Sequence, residues 1–141
     1  MALDPVAEHN AITAFLEAGF VQEVFEDVAD GVTQTWVGTK MTPYIAVDYG
    51  MPLAMAGGRS IAAEELQPTE QRVIVAACAS ENRVARQIAS KVVRELTGFI
   101  PSDNAGPLKL TGGGAFTIQT ADKPTVYVSE VYFRYGANYA T

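Results

Sequence analysis

The chain has 141 residues and a mass of 15.1 kDa, room for one domain around one hydrophobic core. An apolar fraction of 48%, a charged fraction of 18% and a mean hydropathy of +0.08 exclude a disordered tail and a membrane-embedded bundle. A net charge of -6 argues against binding nucleic acid through phosphate neutralisation, one cysteine excludes an internal disulfide, and one histidine beside that cysteine excludes a familiar zinc cage.

Asp4-Pro5 opens a helix read as Pro5 to Ala18, with a capping residue before a proline whose missing N–H costs nothing in the first turn. Ala11, Ile12, Phe15 and Leu16, with Val6 or Ala7 a turn earlier, define its buried face, and Gly19 stops it. Val21 to Asp27 and Val32 to Val37 read as two strands of a hairpin, turned by Ala29-Asp30-Gly31. After Pro43, Ile45, Val47 and Tyr49 alternate onto one face of a further strand ended by Gly50 and Pro52. Residues 51 to 70 read as a long loop, or as an arm whose Met51, Leu53 and Met55 become buried only against another copy of the chain.

Arg72 to Ala79 is apolar in both registers, with Val73, Val75 and Ala77 on one face and Ile74, Ala76 and Cys78 on the other. Such a strand belongs at the centre of a sheet covered on both sides, and a partner is expected to supply the second cover. Ser80 reads as the cap of a helix from Glu81 carrying Val84, Ile88, Val92 and Leu96, with Ala85, Ala89 and Val93 beside them, stopped by Gly98 and Pro101. Leu108 to Leu110 and Ala115 to Thr120 read as extended pieces joined by Gly112-Gly113-Gly114, a hinge or bulge. Asp122-Lys123-Pro124 turns into a last strand, Thr125 to Tyr135, rich in aromatic and β-branched residues. The order helix, strands, helix, strands predicts an α+β fold with two helices on one face of a mostly antiparallel sheet.

No arrangement of residues reads as an active site. His9 reads as a surface or packing residue and Cys78 as a small apolar filler, and Gly57-Gly58-Arg59-Ser60 is only a weak anion nest. Charge distribution says more. Seven acids, Asp4, Glu8, Glu17, Glu23, Glu26, Asp27 and Asp30, precede the first base, Lys40, whereas Arg83, Arg86, Lys91 and Arg94 form a basic stripe. Such a stripe is a solvated helix face or a complementary contact with a neighbouring subunit. No apolar run approaches the roughly 20 residues of a membrane span, and Met1 to Asp4 lacks the basic start of a signal peptide, so use inside a cell is expected. The surplus of apolar surface favours an assembly subunit.

The run Arg72-Val73-Ile74-Val75-Ala76-Ala77, the helix Val84-Ala85-Arg86-Gln87-Ile88-Ala89 to Leu96-Thr97-Gly98, then Pro101, Gly106-Pro107-Leu108 and the closing strand Val126 to Arg134, resemble the tail terminator (tail-completion) proteins of long-tailed bacteriophages. The likeness is one of element order and hydrophobic pattern over most of the chain, and residues 51 to 70 fall outside it. It implies a mixed, mostly antiparallel sheet under two helices and a homo-oligomeric ring, commonly hexameric. That ring caps the completed tail tube, stops tube addition and joins the tail to the head connector, at the head-tail junction of a virion assembled in the host cytoplasm. The partners implied are the tail tube protein and the head-tail connector protein, with no cofactor, no catalytic residue, no metal and no membrane. Met51, Leu53, Met55, Arg59, Arg83, Arg86 and Arg94 are the expected interface. DNA would pass without specific binding through a lumen lined by Glu23, Glu26, Asp27 and Asp30, since acids repel phosphates. A domain this size has a diameter of about 37 Å, and six touching spheres leave a hole of about that width. The alternatives are a head-tail connector or stopper subunit, or a small intracellular ligand-binding domain or enzyme with Arg59, His9 and the glycine loop around a pocket.

Overall fold

One twisted sheet forms one layer and two helices form the other. In chain order the elements are α1 (Pro5–Gly19), β1 (Glu23–Phe25), β2 (Trp36–Val37), β3 (Lys40–Met41), β4 (Tyr44–Tyr49), β5 (Leu53–Ala54), β6 (Leu66–Ala79), α2 (Asn82–Leu96), β7 (Lys109–Thr120) and β8 (Lys123–Ala140). The computed structural model describes residues 5–26, 36–37, 40–49, 53–54, 66–103, 105–120 and 123–140. The fold is α+β, two helices on a five-strand mixed, mostly antiparallel sheet in the order β1-β4-β6-β8-β7, with β5 a short addition beside β6.

β6 is central, as its two apolar registers require. It pairs antiparallel with β4 from Val73 to Cys78 and with β8 along its whole length, from Leu66↔Ala140 to Ala79↔Tyr127. On the helix side, Ile45, Val47, Val73, Val75, Ala77, Val131, Phe133 and Tyr135 pack against Ile12 and Leu16 of α1 and Ile88, Val92 and Leu96 of α2. On the outer side Ala76 and Cys78 join Met41, Tyr44, Ala46, Val126 and Val128, with Phe25 and Ile118 against them. The chain itself therefore supplies part of the second cover that sequence reasoning assigned to a partner. Toward the other end of that face Ile74 and Tyr132 remain half-buried.

Several local expectations change. Among the described residues the first two predicted strands do not pair with each other: β1 pairs parallel with β4, and β2 pairs antiparallel with β3, Trp36 opposite Met41. Parallel pairing sets Val24 beside Ile45 in the helix-side core and Phe25 beside Ala46 on the outer face, so both apolar side chains of β1 find partners. The expected turn, Ala29-Asp30-Gly31, lies outside the described residues. Both ends of the predicted loop contain strand, since Leu53–Ala54 pairs with Thr69–Glu70 and β6 begins at Leu66 rather than Arg72. In the first turn of α1 the buried residue is Glu8, while Val6 and Ala7 are exposed. The hydroxyl of Ser80 does not cap α2: it accepts a hydrogen bond from the Met41 N–H at 3.2 Å, tying β3 to the end of β6, and Glu81 stands at the cap position.

Beyond α2 the chain reverses at Gly98, whose φ of +87° is left-handed backbone suited to glycine. The Gly98 N–H donates to the Leu108 carbonyl at 2.9 Å and the Leu108 N–H to the Phe99 carbonyl at 2.9 Å, which clamps the loop before β7. The triple glycine is part of β7, with a register shift between Leu110 and Gly112. The Tyr132 ring lies along this strip, and a Cβ at Gly112 would stand 3.6 Å from Tyr132 Cδ2. A Cβ at Gly113 would come within 2.7 Å of the Glu130 carbonyl oxygen, on backbone that cannot yield cheaply.

Gly113→Ala is therefore expected to destabilise the protein by about 1–3 kcal/mol through enforced backbone shift, while Gly112→Ala should be neutral or stabilising by up to about 1 kcal/mol. Urea midpoints of the two variants check this; equal effects would mean that the strip is only a flexible joint.

Candidate functional site

α2 buries Ala85, Ile88, Ala89, Val92 and Leu96, so Arg83, Arg86 and Arg94 fall on its opposite, exposed side. Eleven residues of helix separate the first from the last, about 16 Å. None of the three is in an ion pair among the described residues. Lys91, grouped with them by sequence, does something else. Its ammonium donates to the Gly19 carbonyl at 2.6 Å and lies 4.4 Å from the centre of the Phe20 ring, holding the C-terminus of α1 against α2.

A second cationic group emerges only from strand register. Arg72 faces Arg134 across β6 and β8, and Arg134 faces Lys109 across β8 and β7, so three cations form one row on the outer face. Like charges opposed in this way repel, and Glu70 offsets one of them by its 3.4 Å contact with Arg134. Beside this row is an open cleft of about 380 Å³ lined by Glu70, Arg72, Ile74, Thr111, Tyr132 and Arg134. Residues 72 and 134 lie far apart in the sequence, so only a correct β6–β8 register could have joined them. Asp48 and Glu130 stand on the same face, and the Tyr132 hydroxyl donates to Glu130 at 3.1 Å, which raises the phenol's pKa.

The third group is a polar seam under α1. The His9 ring stacks on Tyr49 with centroids 4.1 Å apart, and its Nε2 lies 2.8 Å from Gln71 Oε1. The Tyr49 hydroxyl donates to the His9 carbonyl at 2.9 Å and touches the Thr13 hydroxyl at 2.8 Å, which donates to Glu26 at 2.7 Å. Buried Glu8 accepts from Ser102 at 2.6 Å and from Tyr135 at 3.3 Å. These groups join α1 to β4, β6, β8 and the loop after α2. Gln71 is fully buried, yet its amide nitrogen has no hydrogen-bond partner among the described residues. His9 is thus a packing residue held on both sides.

Of the expected interface residues, Met51, Met55 and Arg59 lie outside the described residues, and Leu53 opens β5, opposite Glu70. Of the expected lumen acids, Glu23 is exposed on the edge strand β1 and Glu26 is exposed just after it, while Asp27 and Asp30 lie outside the described residues. The glycine loop at 57–60 also lies outside them. Among the described residues no group of His, Cys, Asp or Glu is arranged to hold a metal, and no helix is long and apolar enough to cross a membrane. No protein-family model matches the chain, and no curated protein matches it.

Cys78 is fully buried, and desolvation pushes its thiol up from 9.0 to about 11. Burial also raises the phenol of Tyr49 above its ordinary value. A raised folded-state pKa contributes stability that is complete below the unfolded pKa and lost as pH rises toward the folded one. Stability should therefore fall between pH 9 and 11. Cys78→Ala should show a shallower fall in denaturant midpoints over that window, and native protein at pH 8 should resist thiol alkylation until it is unfolded.

Proposed function

We propose that the chain is a structural, non-enzymatic subunit that closes into a ring, hexameric by analogy with the tail terminators of long-tailed bacteriophages. In this reading the ring caps a completed tail tube and joins it to the head connector. The observation that carries it is the incomplete cover on the outer face of the sheet, where Ile74 and Tyr132 are half-buried and Phe116 is 45% exposed, beside a row of cations. Apolar surface bordered by charge is characteristic of subunit contacts. The order and packing of helices and strands support the analogy, as does the exposed arginine stripe of α2, a second surface suited to a different neighbour. A ring that touches a tube on one side and a connector on the other needs such unlike faces.

In the assembled ring Arg83, Arg86 and Arg94 would pair with acids on a neighbouring copy or on the connector, and Glu23, Glu26, Asp27 and Asp30 would keep the lumen negative so that DNA slides. The ligand-binding alternative loses support, because the ring of His9 is already engaged by Tyr49 and Gln71.

Particles assembled without the protein should carry tails of uncontrolled, excess length, whereas loss of a connector or stopper would leave tail length unchanged. Arg86→Glu protein mixed with tube subunits should cap them about tenfold less tightly. Normal tail length without the protein, measured by electron microscopy, would overturn the reading.

A further inference from the structure

The two edges of the sheet are guarded differently. β1 is three residues long and presents the exposed charge of Glu23, and both features discourage pairing with another chain. β7 is 12 residues long, residues 109–117 are all exposed, and after Lys109 it contains neither a charge nor a proline. No described strand pairs with its outer edge. The backbone N–H and C=O groups pointing away from β8 are therefore a template for a further strand.

The pattern along this edge also fits itself. Between the register shifts at Leu110/Gly112 and Ile118/Thr120, the strand is regular from Gly112 to Ile118, about 23 Å. Its outer face carries Gly112 and Gly114 at one end and Phe116 and Ile118 at the other, opposite Tyr132, Glu130, Val128 and Val126. A two-fold axis through Ala115 would set Phe116 of each copy beside Gly114 of the other, and Ile118 beside Gly112. Large side chains then meet positions that have none, next to the Tyr132 ring already lying along the glycines. Lys109 falls beyond the paired stretch, so no charge opposes its own copy.

We propose that β7 pairs antiparallel with β7 of a second copy of this chain, about a two-fold axis at Ala115, continuing the sheet across both molecules. This contact is isologous, unlike the head-to-tail contacts of a ring, and does not rest on the terminator reading. Exposed Phe116 gains cover, and the unpaired edge becomes an interior strand pair.

The test uses the full chain and Ala115, an exposed residue. Sedimentation velocity across a concentration series should show a monomer–dimer equilibrium. Ala115→Glu and Ala115→Lys should each weaken it by about fivefold or more, because like charges meet at the axis. An equimolar mixture of the two variants should restore dimers, as only a two-fold contact at that residue allows. Deuterium exchange of the unmodified chain gives a readout that needs no variant: those amides between Gly112 and Ile118 that point away from β8 should gain protection as concentration rises. A chain that stays monomeric, dimers indifferent to both variants, or a mixture that does not recover would each overturn the proposal. A ring that assembles normally from Ala115→Glu protein would leave the terminator reading standing whatever becomes of the dimer, whereas normal tail lengths without the protein, beside an intact dimer, would sink that reading and leave this contact standing.

Discussion

Everything in this molecule is arranged around β6. A strand apolar in both registers cannot lie at an edge or on a wet face, so β4 and β8 must flank it and material must be laid over both sides. The fourteen-residue pairing with β8, about 46 Å of strand, fixes the register that aligns Val75 with Val131 and Val73 with Phe133 under the helices. A slip of one residue would turn those side chains outward and bring Ile74 and Tyr132 inward. It would also part Arg72 from Arg134, so the core and that half of the cation row are set by one alignment.

α1 is held differently from α2. The well-separated apolar and polar sides of α2 need little beyond burial to dock it. α1 carries Glu8, His9 and Thr13 toward the sheet and finds Gln71, Tyr49 and Tyr135 there, with Ser102 in the loop after α2. Buried hydrogen bonds to a carboxylate add geometric specificity, and leaving one unmade costs more than the bond contributes. That logic accounts for the burial of Glu8 in a turn whose buried face the periodicity assigned to Val6 or Ala7.

Much of this was legible in the sequence, for physical reasons that can be stated. The four-residue repeat Val84, Ile88, Val92, Leu96 left α2 no other buried face, and the double register of residues 72–79 forced a central strand. Gly98 as a stop is explained by its positive φ. What escaped was long-range. The parallel partnership of β1 with β4 depends on residues that are not neighbours in sequence, and turn chemistry near Gly31 suggested a local hairpin instead. The cation row likewise exists only once β6, β8 and β7 are aligned. Glycines that looked like a joint are strand because Tyr132 lies along them and Glu130 closes over Gly113. Of the candidate site, the arginines of α2 were readable from helical periodicity, whereas Arg72, Arg134 and Lys109 were not.

The tether from Lys91 to Gly19 has a further consequence. α1 has no basic residue in its own last turn, so the negative end of its dipole is answered from α2, by a cation 72 positions away. The two helices thereby share one electrostatic bond. Acetylation of that amine would remove its charge and weaken the cation–π contact with Phe20. The hold on the exit from α1 into β1 would weaken accordingly.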